Sequence, residues 1–367
     1  MNIRAAISAS AEAPFEIADV ELDEPRRDEV LVELRAVGVC HSDLTMKAVW
    51  PQTLSPIVLG HEGAGVVVAA GADVTGVRPG DHVVLSYRSC GSCPECACGH
   101  RPYCRDFRTL NGIGTRPDGS PTMRRNGLRV YGSYFGQSSF ASHALAYESN
   151  VVVVGEEIDL GVAAPLACGV QTGAGTVLNV LAPPPEASLV VFGAGGVGLS
   201  AVMAAFAAGL GAIIAVDPVA RRRQLATELG ASATLDPAAG DVVDTIRDLT
   251  DGGATHAIDT TAKGGVVNQA IEALAPLGTL ALVGIRIPDF AMNVQSVMSG
   301  GKTIRGVIEG DATPREFIPR LVELYGEGRL PIEKLIRRYD FGDIDVAFAD
   351  AASGTTVKPV LDVRALT

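Results

Sequence analysis

The stretch Leu189-Val190-Val191-Phe192-Gly193-Ala194-Gly195-Gly196-Val197-Gly198 decides the fold. A short apolar run reads as a strand, G-x-G-x-x-G follows it, and Gly198–Ala208 then carries helical spacing. Strand, glycine turn and helix in that order make a dinucleotide-binding fingerprint. The glycines permit a tight turn and close approach of backbone to pyrophosphate, and the helix N-terminus offers unsatisfied N–H groups. A second strand is expected over Ala212–Val216, with Asp217 at its end, 19 residues after Gly198. A carboxylate there accepts hydrogen bonds from the adenosine ribose and repels a 2′-phosphate, so the spacing predicts NAD. Arg221, Arg222 and Arg223 are the opposing signal, because arginine also accommodates that phosphate.

Working outward, a helix is expected over Arg221–Leu229, stopping at Gly230. Strands are expected at Thr255–Asp259 and Thr279–Gly284, with a helix over Val267–Leu274 between them. Alternating strands and helices imply a doubly wound parallel sheet. The earlier part reads as β-rich: Val30–Val37, Ala64–Ala70 and His82–Ser86 are strand-like, broken by Gly71, Gly76, Pro79 and Gly80. Cys90–Cys104 and the Arg-rich Arg108–Arg129 are expected to be irregular, and Glu316–Tyr325 to be a helix. The reading is an α/β chain with a β-rich domain over 1–168, an inserted α/β domain over 169–309, and a tail over 310–367 that completes the first domain.

Composition narrows the function classes. The 367 residues are 47% hydrophobic and 20% charged, enough for a sizeable core and unlike a disordered chain. A formal net charge of −12 argues against nucleic acid or an anionic membrane as partner. Leu189–Val216 is uncharged and long enough for a membrane span, but its glycines sit at dinucleotide-binding spacing. Ala5–Ala11 is too short and too polar for a secretory signal, so a cytoplasmic enzyme is expected.

Four of the seven cysteines, Cys90, Cys93, Cys96 and Cys104, are spaced C-x2-C-x2-C-x7-C. Four thiolates on one short loop close a tetrahedron around Zn²⁺ and leave no open position, which is a structural site. The lobe has no core of its own, so metal binding would supply its order. Cys98 does not fit the spacing and is expected to be a bystander. Cys40, in Cys40-His41-Ser42-Asp43, His61, in Gly60-His61-Glu62, and Cys168 offer a second set. Two thiolates and an imidazole leave a fourth position for water or substrate, the signature of a catalytic zinc. Each residue also has an ordinary reading, since buried cysteine commonly packs as a small hydrophobe.

Taken together, these segments resemble the zinc-containing medium-chain alcohol dehydrogenase family over nearly the whole chain. Within it, Leu85-Ser86-Tyr87, Phe135–Ala141, Gly306–Asp311 and Phe317-Ile318-Pro319 most resemble the aryl-alcohol (benzyl alcohol) dehydrogenase branch. The resemblance implies a GroES-like catalytic domain around an inserted Rossmann domain, and two zinc ions per chain, one catalytic and one structural. It implies catalytic zinc on Cys40, His61 and Cys168, with Glu62 nearby. Asp43 would orient His61, and Ser42 would take the substrate's hydroxyl proton. His41, Thr172, Gly193, Gly195, Gly196, Val197, Gly198, Asp217, Arg222, Val283 and Val307 would contact NAD. It further implies a homodimer or homotetramer acting on a small alcohol or aldehyde. Thr45 replaces a histidine that ends the proton relay in some members, and His41 replaces an arginine near the pyrophosphate. The expected reaction is reversible oxidation of an aryl or allylic primary alcohol. The alternatives are a thiol-adduct (glutathione or mycothiol) formaldehyde dehydrogenase, favoured by the arginines of 108–129, a zinc-free reductase of the same superfamily, and a non-catalytic zinc-ribbon module.

Overall fold

The computed structural model describes residues 1–285 and 288–366. The chain forms two compact units. The first comprises Met1–Cys168, Thr313–Val322 and Glu333–Thr367, and the second Gly169–Ala312 and Glu323–Ile332. The tail therefore divides differently from the sequence reading. Glu323–Ile332 clusters with the second unit, where Leu330 and Ile332 are fully buried and Arg329 donates to the Ala207 carbonyl (2.6 Å).

In the first unit, Glu29–Gly38 is the central strand of a largely antiparallel sheet. It pairs with Glu62–Ala70, His143–Tyr147 and Lys358–Asp362, so the tail strand Lys358–Asp362 joins a sheet otherwise built largely from the N-terminal part of the chain. Val30, Val32, Leu34 and Val37 are fully buried in one core with Leu85, Phe140 and Leu361. Glu33 and Arg35 are only half-buried on the opposite face, so the strand alternates at its centre. A second sheet runs in the order Ile57–Val58, Asn2–Ser8, Glu16–Leu22, Met123–Arg125, Leu128–Val130.

The last two of those strands correct the expectation that 108–129 is irregular. Phe107–Asn111 is a short helix, and Met123–Arg125 pairs with Leu128–Val130 as a hairpin. Its turn, Asn126-Gly127, has φ of 52° and 75°, the backbone that Asn-Gly supplies in a two-residue hairpin loop.

In the second unit six parallel strands are found among the described residues. Their order is Ala233–Leu235, Ala212–Val216, Ser188–Phe192, Ala254–Asp259, Leu274–Leu282, Thr303–Gly306. That is third, second, first, fourth, fifth, sixth in chain order, the doubly wound arrangement of two mononucleotide-binding halves. The uncharged stretch 189–216 is a buried strand, the largely buried helix Gly196–Ala207, and a second buried strand. No single helix among the described residues is long and apolar enough to cross a membrane.

Candidate active site

Cys40 caps the helix His41–Val49, and Asp43, at the helix's third position, reaches back to the Cys40 N–H (Oδ2, 3.0 Å). This reciprocal cap fixes the direction of both side chains. Asp43, fully buried, turns its other oxygen to His61 Nδ1 (2.8 Å) and to the Gly60 N–H (3.2 Å). Nδ1 is thus committed to the carboxylate, while His61 Nε2 is buried with no hydrogen-bond partner. A buried imidazole nitrogen with no hydrogen-bond partner is a position that a metal can take, with the carboxylate fixing the ring's orientation. Ligand atoms of Cys40, His61, Glu62 and Cys168 all lie within 4.8 Å of one another. Cys168 enters from the junction between the 3₁₀ turn Ala164–Ala167 and the helix Gly169–Gly175. Ser42 Oγ lies 3.8 Å from Cys40 Sγ.

The electrostatics suit a cation. Cys168, then Lys358 and His61, hold the Cys40 thiol well below the usual thiol range against the pull of burial. Burial works against the His61 imidazolium, but Asp43 and then Cys40 hold it well above the usual histidine range. Zinc binding would displace that proton together with the thiol protons. Glu62 is the least suited of the four as a ligand. Both its oxygens accept from Lys358 Nζ at 2.9 Å, and the pair is buried. Burial pushes Glu62 up to about 7 while Lys358 pulls against it. Two thiolates and one imidazole therefore fit zinc with an open fourth position, and Glu62 stands beside them, held by Lys358.

The other cluster joins Cys90, Cys93, Cys96 and Cys104. Cys90 and Cys96 sulfurs are 3.9 Å apart, close to the roughly 3.8 Å edge of a tetrahedron with 2.3 Å Zn–S bonds. The backbone N–H groups of Ser92 and Cys93 pull the Cys90 thiol down to about 6, and burial pushes Cys104 up to about 12. Only Leu110 and Phe107 join these cysteines in a small apolar cluster, so the lobe lacks an independent core. All seven cysteines are free thiols, and exposed Cys98 lies outside both clusters.

In the second unit, Gly193 turns the chain at φ +93° directly after the strand Ser188–Phe192. A Cβ at Gly198 would sit 1.9 Å from the Gly193 carbonyl, whereas Gly195 faces open space, the approach a pyrophosphate needs. Gly196 and Val197 form the first turn of the following helix. Asp217 is buried, accepting from the Ala194 N–H and the Val219 N–H (2.8 Å each). Arg223 is turned inward to the Asp217 carbonyl and Asp236. Arg222 lies 3.7 Å from Asp217, with its buried Nε lacking a partner. That orphan donor beside the acidic residue fits the ribose end of a dinucleotide. Val283 and Val307 are buried just beyond the carboxyl ends of their strands, bonded through N–H to Asp259 and Leu282 (2.9 Å each). Thr172 is buried on the helix Gly169–Gly175, and His41 is exposed at the first position of its helix, in the first unit.

Residues 26–156 match the alcohol dehydrogenase GroES-like domain, and residues 196–326 match the zinc-binding dehydrogenase family. Geraniol dehydrogenase of Castellaniella defragrans is 44% identical over 98% of both chains. The chain belongs to the zinc-binding alcohol dehydrogenase family. It is an oxidoreductase whose cofactors are zinc and NAD. Two solved structures cover 99% of this dehydrogenase and of themselves. The alcohol dehydrogenase zinc-binding domain protein of Burkholderia ambifaria is 46% identical with a TM-score of 0.96, and benzyl alcohol dehydrogenase of Acinetobacter calcoaceticus is 40% identical with a TM-score of 0.95.

Several residues of the dehydrogenase's site escape a reading of the sequence. Lys358 lies nearly 300 positions from Glu62 and reaches it only because its strand pairs beside Glu29–Gly38. Gly38 makes room for that carboxylate, since a Cβ there would meet Glu62 Oε2 at 2.0 Å. The buried Gln137 amide donates to the carbonyls of His61, Leu85 and Ser86 (3.0, 3.0 and 3.1 Å). It thereby fixes the metal-site strand against its neighbour. Phe135 is half-buried with φ +52°, and its ring lies 4.6 Å from the His61 ring. Of these, Gln137 and Phe135 fall in a segment marked by resemblance, but no periodicity assigns them a role.

Proposed function

We propose that this dehydrogenase oxidises aryl or allylic primary alcohols to aldehydes, with NAD as hydride acceptor. The aromatic wall beside His61 carries the reading. Phe135 packs 4.6 Å from the His61 ring, 4.9 Å from Tyr134 and 6.2 Å from Phe107, and Phe107 meets Tyr87 at 5.7 Å. A bulky residue at positive φ is strained, and such strain persists where the surroundings impose it, often at functional sites. Flat π-systems gain from aromatic neighbours, and ethanol has no face to offer. The named activities of the geraniol and benzyl alcohol relatives point the same way.

Cys40, His61 and Cys168 would hold the catalytic zinc, with Asp43 fixing the His61 ring. Cys90, Cys93, Cys96 and Cys104 would hold the structural zinc. Bound zinc supplies a Lewis acid, and NAD supplies the hydride acceptor. Ser42 takes the hydroxyl proton and passes it outward. Thr45, in place of a histidine, leaves the relay to end at other groups or at solvent. Asp217 receives the adenosine ribose, which excludes the extra phosphate of NADP.

The charged-adduct alternative loses part of its support. Of the five arginines of 108–129, Arg116 is bonded to Glu29 and Asp23, Arg124 to Asp23, and Arg125 to Glu16, so these three are committed within the fold. Reduced cysteines and the metal clusters favour a cytoplasmic location. Assembly through the second unit is supported by its outer strand Thr303–Gly306 and by exposed Leu277, Val294 and Met298.

The test is NADH formation with benzyl alcohol, cinnamyl alcohol, geraniol and ethanol, before and after zinc chelation. Chelator-sensitive turnover favouring the first three is expected. Ethanol oxidised as well as cinnamyl alcohol would sink the substrate reading, and turnover only with added thiol would select the adduct instead.

A further inference from the structure

Just beyond the sheet strand Thr303–Gly306, three consecutive residues adopt left-handed backbone: Glu309 (φ +51°), Gly310 (+64°) and Asp311 (+50°). Only glycine does this without strain, so two of the three positions are held there by their surroundings. The clamp is visible. A Cβ at Gly175 would meet the Gly310 carbonyl oxygen at 2.5 Å, and one at Gly310 would meet the Gln171 carbonyl oxygen at 2.4 Å. Asn179 Nδ2 donates to the Gly310 carbonyl (3.1 Å), and Arg305 pairs with Asp311. The turn is thus locked against the helix Gly169–Gly175 and the residues that continue it.

The product of this packing is a buried carboxylate in a defined place. Glu309 is 8% exposed. Its Oε2 accepts from Gln171 Nε2 (3.0 Å) and from Thr172 Oγ1 (3.4 Å), which fix the carboxyl group in place. The place is telling. In a doubly wound sheet the ligand lies outside the carboxyl ends of the strands, and each half of the sheet receives one half of the dinucleotide. The glycine turn and Asp217 belong to the half built from Ser188–Phe192, Ala212–Val216 and Ala233–Leu235. Glu309 follows the last strand of the other half, which receives the nicotinamide.

We infer that Glu309 is a charge-setting residue for the nicotinamide end of the cofactor, favouring oxidised NAD over NADH in the binary complex. The oxidised ring carries a positive charge and the reduced ring does not. A fixed negative charge in a water-poor site stabilises the first and is indifferent to the second. The inference rests on the NAD reading above. Its residues and that cofactor half all belong to the second unit.

The experiment measures dissociation constants of NAD, NADH and ADP-ribose for zinc-loaded wild type, Glu309→Gln and Glu309→Asp. NADH is followed by its fluorescence and the others by displacement. Glu309→Gln keeps shape and hydrogen bonding but removes charge. The ratio of the NAD constant to the NADH constant should rise at least tenfold in it, since one charge pair about 12 Å apart at an effective dielectric constant near 20 is already on that scale. Glu309→Asp should keep the ratio within about threefold of wild type, because it keeps the charge. ADP-ribose, which lacks nicotinamide, should bind all three proteins equally. An unchanged ratio in Glu309→Gln overturns the inference, as does a ratio displaced as far in Glu309→Asp, which would then follow geometry and not charge. Failure of wild type to bind either nucleotide would instead sink the cofactor reading on which this one stands.

Discussion

Lys358→Met tests how the metal site tolerates its buried acid. Nζ donates to both Glu62 oxygens at 2.9 Å and lies 3.4 Å from the Val39 carbonyl, while Glu62 has no exposed surface. Met fills much the same volume as the lysine stem, so packing changes little and the lost charge dominates. Removing one partner of a buried pair leaves an uncompensated charge, at a cost of about 3–5 kcal/mol that falls as Glu62, already pushed up to about 7, takes up a proton. Gly38 leaves no alternative direction for the carboxylate, because the carboxylate already occupies the space a side chain would need. The low end of the range applies if zinc takes up part of the freed charge, and the high end if it does not. Urea denaturation of zinc-saturated wild type and variant reads the difference. Adding Glu62→Gln should recover more than half of the loss, since a neutral pair no longer buries a bare charge. A deficit below about 1 kcal/mol, or a double variant no more stable than Lys358→Met, would show that Glu62 does not depend on this lysine.

Other perturbations separate the roles of the remaining groups. Asp43→Asn should weaken catalytic zinc binding roughly 10–100-fold, seen in chelator competition, because the carboxylate that fixes His61 becomes an amide. Cys168→Ser should abolish turnover while NADH binding, read by fluorescence, stays near wild type. Cys96→Ser should lower the metal content from two zinc ions to one and reduce thermal stability, since the lobe's small cluster cannot order it alone. Phe135→Ala should cut kcat/KM for cinnamyl alcohol by about tenfold, the scale of one aromatic contact, and leave ethanol within about twofold. His256 is held below the ordinary histidine value of 6.5 by burial. It therefore contributes stability above that value that is lost as pH falls below it. His256→Gln should flatten the fall in urea midpoint between pH 7 and 5.

What the sequence made legible follows a physical line. The glycine turn, its strand and its helix were readable because the constraint is local: backbone must approach backbone, and a Cβ at Gly198 would collide with the Gly193 carbonyl. The Cys₄ lobe was readable for the same reason, all four donors lying on one short loop. The hairpin at Asn126-Gly127 was missed although its signal is local, because the charged residues around the turn hid the strands' alternation. The outer strands Ala233–Leu235 and Thr303–Gly306 were missed because partly exposed edges carry little apolar pattern. Tertiary partners were beyond reach. Lys358 looks like an ordinary strand lysine until its register against Glu29–Gly38 sets it beside Glu62. Glu309 looks like a loop acid until the strained turn sets it under Thr172. Both are buried ionisable side chains on elements far from the groups they touch. The cysteine clusters and the glycine turn announce themselves through local spacing, whereas these two side chains are placed by topology alone.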